Sequence, residues 1–251
     1  MLDVIGVTKK FGGLVANKDV TFRLEEGEIL GFIGSNGSGK TTMFNMITGF
    51  LKPTEGGILF RGEDLTRYKA HEIVYKGIAR TFQLTSILPD LTVEDNVLYG
   101  LYSGVNTSFL SGIVASKGYR EQERAARERV DRALELLKLD HRRTEPAKNI
   151  ASAEQRKLMI AIAMARKPKL LLLDEPAAGT SPEEQDELVK TIRKIRDDGA
   201  SVLIIEHSMR LIMQLCDHIV AFNFGEKIGD GTPDEIKNNQ AVIDAYLGRA
   251  D

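Results

Sequence analysis

The stretch GSNGSGKT at residues 34–41 constrains the fold of this chain most, because of what flanks it. It follows the apolar run ILGFI at 29–33. From Lys40 onward the apolar positions Met43, Met46, Ile47 and Phe50 recur at helical spacing, stopping near Gly49. Strand, glycine-rich turn and helix in that order satisfy the GxxxxGKT phosphate-loop pattern in its required context. The glycines permit a tight turn whose backbone N–H groups converge on phosphate oxygens, and the helix start adds positive potential. Lys40 then neutralises β- and γ-phosphate charge, and Thr41 offers a hydroxyl to a bridging Mg²⁺. Gly34, Ser35, Asn36, Gly37, Ser38, Gly39 and Thr42 complete the expected nucleotide-binding loop. The competing reading, an ordinary glycine-rich connection, is weakened by the flanking elements.

Further apolar runs extend the pattern. LDVIGV (2–7) and VTFRL (20–24) read as strands, and LLLLD (170–174), SVLIIEH (201–207) and HIVAFN (218–223) read as buried strands separated by helical segments. Such alternation predicts an α/β fold. Residues 84–166 read as mostly helical, with Val130, Ala133, Leu134 and Leu137 forming one apolar stripe in a charged sequence. A helical insertion into an α/β core is therefore expected. With 251 residues, seven scattered prolines, and no repeat or low-complexity linker, one integrated domain is favoured.

Composition narrows the function classes. Lys+Arg 34 against Asp+Glu 36 leaves a net charge of −2, which argues against a generic nucleic-acid binder. The single cysteine, Cys216, forbids an internal disulfide and fits a reducing compartment. With no CxxC or HExxH pair, a structural zinc is not expected. The amino terminus does not read as a secretory signal, and no stretch reaches the roughly 20 apolar residues needed to cross a bilayer.

Asp174 and Glu175 follow the apolar run 170–173, and the carboxyl ends of parallel strands are where open α/β sheets carry their sites. Asp174 is expected to hold Mg²⁺ and Glu175 to polarise the attacking water as general base. Two acids after a strand are usually a solvated loop. The pair gains meaning only beside the phosphate loop.

GSNGSGKT, then TFQ (81–83), then LLLLDEP, then IIEH (204–207), resembles the nucleotide-binding subunit of an ATP-binding cassette (ABC) transporter, over essentially the whole chain. KKFGGLVAN, GIARTFQ, DEPAAG and GTPDEIKNN look most like bacterial importers of branched-chain and related amino acids. The resemblance implies a P-loop NTPase of the ABC type: a mixed sheet core with an antiparallel β subdomain and an inserted helical subdomain. It also implies ATP and Mg²⁺. Phe11 would stack on adenine, Gln83 would sense Mg²⁺ and couple to the membrane partner, and His207 would contact the γ-phosphate. Phe11 as a core residue and Gln83 as a surface residue are the plainer alternatives. His71, His141 and His218 read as surface or packing residues.

The family's signature, LSGGQ-like and about 20 residues before DEP, meets ATP held by the opposite subunit. Here Ala151, Ser152, Ala153, Glu154 and Gln155 stand there. A carboxylate at Glu154 about 4 Å from a phosphate charge would cost roughly 4 kcal/mol at an effective dielectric of 20. Ser152 and Gln155 also fit a capping box opening the next helix, with Glu154 in its first turn. Together these suggest an asymmetric dimer in which a different subunit supplies a normal signature. Smaller departures are Ser35, where many relatives have proline, and Thr180-Ser181, which replaces a common Leu-Asp pair. Ser181 still reads as a helix N-cap, Pro182 as the first helical residue and Gly199 as the stop.

The expected activity is ATP hydrolysis powering a membrane importer. Its partners would be integral membrane permease subunits, a second ABC ATPase subunit and, indirectly, a substrate-binding protein, with no nucleic acid. The chain would sit in the cytoplasm, peripheral on the inner face of the membrane. A nucleotide-gated switch with weak hydrolysis and a soluble non-transport ABC ATPase remain the alternatives.

Overall fold

The computed structural model describes residues 1–81, 87–102 and 117–247. The chain divides into two compact units, one formed by Met1–Arg80 with Lys169–Asp251 and the other by Thr81–Pro168. The first unit opens with β1 (Leu2–Phe11), β2 (Leu14–Leu24), β3 (Ile29–Gly34), α1 (Lys40–Ile47), β4 (Glu55–Phe60), β5 (Glu63–Asp64), α2 (Ala70–Tyr75) and β6 (Ile78–Arg80). The second unit carries α3 (Val93–Tyr102), α4 (Lys117–Leu136) and α5 (Ser152–Met164). The chain returns to the first unit with β7 (Leu170–Asp174), α6 (Pro182–Asp197), β8 (Ser201–Ile205), α7 (Met209–Leu215), β9 (His218–Asn223), β10 (Glu226–Gly231), α8 (Pro233–Lys237) and α9 (Gln240–Leu247).

Among the described residues the first unit holds two sheets, an antiparallel one of order β2-β1-β4-β5 and a mixed one of order β10-β9-β3-β8-β7-β6. Only β10 runs antiparallel to its neighbour in the mixed sheet. The parallel registers set Phe32 beside Ile205, Asp174 beside Ile205, and Gly34 beside Phe222. The loops after β3, β7, β8 and β9 therefore open on one edge, where parallel sheets carry their sites.

Phe32 on β3 ties the two sheets to α1. It is fully buried and packs edge-on against Phe22 of β2 at 5.1 Å and Phe222 of β9 at 4.8 Å, with Phe44 of α1 tilted against it at 5.8 Å. These are the separations at which aromatic quadrupoles attract.

β1 and β2 run past the segments expected at 2–7 and 20–24. Register shifts near Val7 and Lys9 break the alternation that would have shown the extension. The stripe expected through Phe50 stops early: α1 ends at Ile47, Gly49 takes a left-handed φ of 73°, and Phe50 is exposed. At α6 the expected signals are used, with Ser181 Oγ accepting from Glu184 N, Glu184 Oε2 accepting from Ser181 N, and Gly199 at φ 95°. In the second unit, Val130, Ala133, Leu134 and Leu137 are all buried. Among the described residues no helix is long and apolar enough to cross a membrane.

Because Phe32 is shared by three elements, Phe32→Ala is expected to cost about 3–5 kcal/mol in urea denaturation. A loss below about 1 kcal/mol would show that the sheets are held elsewhere.

Candidate active site

The loop at 34–41 is shaped by close contacts. At Gly34 (φ 147°) a Cβ would lie 2.4 Å from the Phe222 carbonyl oxygen, and at Gly39 (φ 103°) 2.6 Å from the Ala16 carbonyl oxygen. Any side chain would push the loop off β9 or β2. Buried Asn17 donates from Nδ2 to the Gly39 carbonyl at 3.3 Å, and Gly225 N donates to the Ser38 carbonyl at 3.1 Å. Ser38 N donates to the Ser35 carbonyl at 3.2 Å, closing the turn. Ser35, Asn36, Gly37 and Thr41 are exposed, Thr42 is half-buried, and Ser38, Gly39 and Lys40 are buried.

Lys40 is folded into its own loop. Its Nζ donates to the Gly34 carbonyl at 2.8 Å, the Ser35 carbonyl at 2.9 Å and Ser38 Oγ at 3.3 Å. Burial lowers its pKa, against opposing pulls from Glu175 and Asp174. A dehydrated ammonium held by uncharged oxygens gains when an anionic oxygen replaces one of them.

Asp174, at the end of β7, is bound by a residue that sequence reasoning did not single out. Arg80, ending β6, donates from Nη2 to Asp174 Oδ2 at 2.7 Å and from Nη1 to Asn45 Oδ1 at 2.6 Å. Its guanidinium carbon lies 5.5 Å from the Phe44 ring centre. The Arg80 and Asp174 side chains are 8% and 13% exposed, so the pair is nearly dry. The available signal was an arginine inside GIARTFQ on a short apolar run.

Glu175 follows at φ 49°, a left-handed backbone that costs a non-glycine residue roughly 1–2 kcal/mol. Its N–H donates to the Ile205 carbonyl at 2.9 Å. Its Oε1 lies 2.9 Å from His207 Nε2, both side chains remaining partly open to solvent. The structure thus joins Glu175 to His207, 32 residues apart.

Phe11 ends β1, is 45% exposed and has Lys9 Nζ 5.0 Å from its ring centre, so it is not a core residue. Gln83 lies outside the described residues. His218 is half-buried, with Nε2 2.6 Å from Asp230 and Nδ1 3.3 Å from Glu28. Cys216 is buried, which drives its thiol pKa far above the ordinary value.

In the second unit the capping box expected from Ser152 and Gln155 does not form. The N-cap of α5 is Ala151, one residue earlier, so Glu154 occupies the third helical position. Its Oε2 accepts from Ala151 N at 3.0 Å. Its Oε1 lies 3.1 Å from Arg142 Nε and 3.4 Å from His141 Nε2. Burial pushes this carboxyl upward, but the Ala151 N–H, Arg142 and His141 outweigh it and hold it below the usual carboxylate range. Gln155 Nε2 donates to the carbonyls of Ala147 and Ile150.

Among the described residues no three His, Cys, Asp or Glu side chains converge on a metal position. The Thr41 hydroxyl and one carboxylate at Asp174 are hard oxygen donors. That sparse set fits Mg²⁺, which keeps several waters and shares phosphate oxygens rather than filling a protein cage.

The family described as ABC transporter matches residues 17–178, and that described as branched-chain amino acid ATP-binding cassette transporter matches residues 226–251. The high-affinity branched-chain amino acid transport ATP-binding protein BraF of Pseudomonas aeruginosa is 42% identical over 251 residues, all of this chain and 98% of the relative. The corresponding LivG protein of Escherichia coli K12 is 40% identical over the same coverage. A nucleotide-free ATP-binding cassette from an ABC transporter superposes with TM-score 0.86 at 31% identity, covering 99% of both chains. An ATP-binding cassette in its ADP conformation gives 0.85 at 30%, covering 99% of this chain and 98% of that one.

Arg80→Gln leaves Asp174 without its guanidinium and is expected to cost about 3 kcal/mol in denaturation. Adding Asp174→Asn should recover part of that loss. An unchanged midpoint in the single variant would show that the pair does not hold β6 to β7.

Proposed function

The chain belongs to the ABC transporter family, and on that premise we propose that it hydrolyses ATP to drive branched-chain amino acid uptake through integral membrane permease subunits. The observation that carries this is the 2.9 Å contact between Glu175 and His207 on the sheet edge that also bears Lys40. The named relatives supply the substrate class.

Residues 34–42 hold the phosphates of ATP through backbone N–H groups, with Lys40 exchanging a loop carbonyl for a phosphate oxygen. The exposed face of Phe11 stacks on the adenine. Thr41 and Asp174 would hold Mg²⁺, with Gln83 as the family resemblance implies, and the ion would supply positive charge to offset that of the β- and γ-phosphates. Glu175 takes a proton from water as the water oxygen attacks the γ-phosphorus. The bond from phosphorus to the β–γ bridging oxygen breaks, and its electron pair stays on ADP. His207 orients Glu175 and hydrogen-bonds the γ-phosphate oxygens. Gln83 relays the state of the site toward the permease.

The chain acts from the cytoplasmic face, paired with a second ABC ATPase subunit, and receives substrate indirectly from a binding protein. A different second subunit is favoured by the start of α5, where Ala151, Ala153 and Glu154 stand in place of the leucine and both glycines of the family's signature, while Ser152 and Gln155 keep its serine and glutamine. Glu154 adds less to that argument than a bare charge would, since Arg142, which also binds Glu145, lies against it.

In proteoliposomes with the permease, Glu175→Gln is expected to lower ATP hydrolysis and leucine uptake by about 10²–10⁴-fold while ATP still binds. Uptake that persists without hydrolysis would remove the proposal. Light scattering of the Glu175→Gln chain with ATP should show a monomer until a second ATP-binding subunit is added. A homodimer forming alone would overturn the heterodimer assignment.

A further inference from the structure

Glu206 precedes His207 and is 4% exposed, yet no step above uses it. Its Oε1 accepts from Ala177 N at 2.6 Å, and its Oε2 accepts from His207 N at 3.1 Å. Ala177 follows Pro176, directly after Glu175, and its carbonyl accepts from Thr180 Oγ1 at 2.7 Å. One carboxylate therefore grips both loops that carry the hydrolytic side chains. The circuit is closed elsewhere by Glu175 N donating to the Ile205 carbonyl and by Glu175 Oε1 beside His207 Nε2.

A buried carboxylate satisfied by two peptide N–H groups is an expensive way to join two loops. What it adds over an apolar contact is direction: each N–H is held on its own oxygen, so the spacing of the two loops follows the width of the carboxylate. Glu175 has a left-handed backbone that must be imposed from outside, and Glu206 grips the chain two residues further on.

We infer that Glu206 is a positioning residue that fixes Glu175 and His207 at their working separation by holding both backbones. The inference rests on Glu175 and His207 forming the hydrolytic pair. The charged side chains acting on Glu206 are Glu175, which raises its pKa, and His207, which lowers it. Burial is the largest influence, and the balance lies above the usual carboxylate range despite the two N–H bonds. Glu206 thus takes up a proton at higher pH than an ordinary carboxylate would, becoming close in shape and charge to glutamine.

The test compares the full chain, assembled with the permease and the second ATP-binding subunit, with its Glu206→Gln, Glu206→Ala and Glu175→Gln variants in the same assembly, measuring kcat and KM for ATP with Mg²⁺ across pH, and Tm for each. Glutamine has one acceptor oxygen and can serve one loop; alanine serves neither. For Glu206→Ala, kcat is expected to fall about 10²-fold, the effect of roughly 1 Å of misplacement, with KM within about threefold of the parent. Glu206→Gln should lie between, and the ratio of parent to Gln kcat should shrink toward one as pH falls and the parent protonates. A pH-independent ratio, or equal losses in kcat and in affinity with a lowered Tm, would make Glu206 merely structural and overturn the inference. If Glu175→Gln is inactive while both Glu206 variants match the parent, the inference alone fails. If Glu175→Gln keeps full activity, the hydrolytic assignment fails and the inference with it.

Discussion

The fold is organised around a buried ammonium. Lys40 has left bulk water and is held by two carbonyls and a hydroxyl, none of which carries a charge to balance it. Neutral oxygens recover only part of the hydration lost, so the site favours any anionic oxygen that can reach it. This works only if the loop cannot relax around the lysine. Backbone close to Gly34 and Gly39 prevents that, and so do the bonds from Asn17 and Gly225. The β1–β2 hairpin and the β9–β10 turn, far apart in sequence, both serve as walls of the phosphate loop.

Three carboxylates on the same edge are separated by what neutralises them. Asp174 meets a guanidinium in a nearly dry pair, which fixes its direction. Glu206 meets two peptide N–H groups and is equally fixed, but in a site where burial favours its neutral form. Glu175 meets an imidazole in partial contact with solvent, and it is the most open of the three to water. The environments are pushed apart by burial and partner, which is how neighbouring carboxyl groups come to take different roles.

The parts legible in the sequence are those whose cause is local. A phosphate loop needs its glycines, strand and helix within about twenty residues, and the N-cap of α6 needs only Ser181, Pro182 and Glu184. Strands β4 and β10, EGGILF and EKIGDG, escaped because their glycines erase the alternation that marks a half-buried strand. Arg80 and Glu206 escaped for another reason. Each lies inside a motif that attracted attention to a neighbour, and each gains its meaning from a partner 94 or 29 residues away. A charged residue ending an apolar strand is ambiguous until the adjacent parallel strand is known.

The start of α5 shows how much depends on one residue of helix phase. With the N-cap at Ser152, Glu154 would sit in the second helical position, its side chain free to face whatever approaches the helix end. With the N-cap at Ala151 it sits in the third, from which a glutamate reaches back to the N-cap N–H. The same sequence then gives a carboxylate that completes its own helix and lies against Arg142, a guanidinium it shares with Glu145. The repulsion of roughly 4 kcal/mol expected of a bare charge at 4 Å is reduced, because an approaching phosphate meets a carboxylate already beside a guanidinium. What distinguishes this helix end is instead a glutamate at the third helical position, reaching back to the N–H of an N-cap, Ala151, that has no side-chain oxygen of its own. Its opening turn is held by Glu154 on the Ala151 N–H and by Gln155 on the carbonyls of Ala147 and Ile150, so Glu154 is better understood as a support of the helix than as a bare charge at its end.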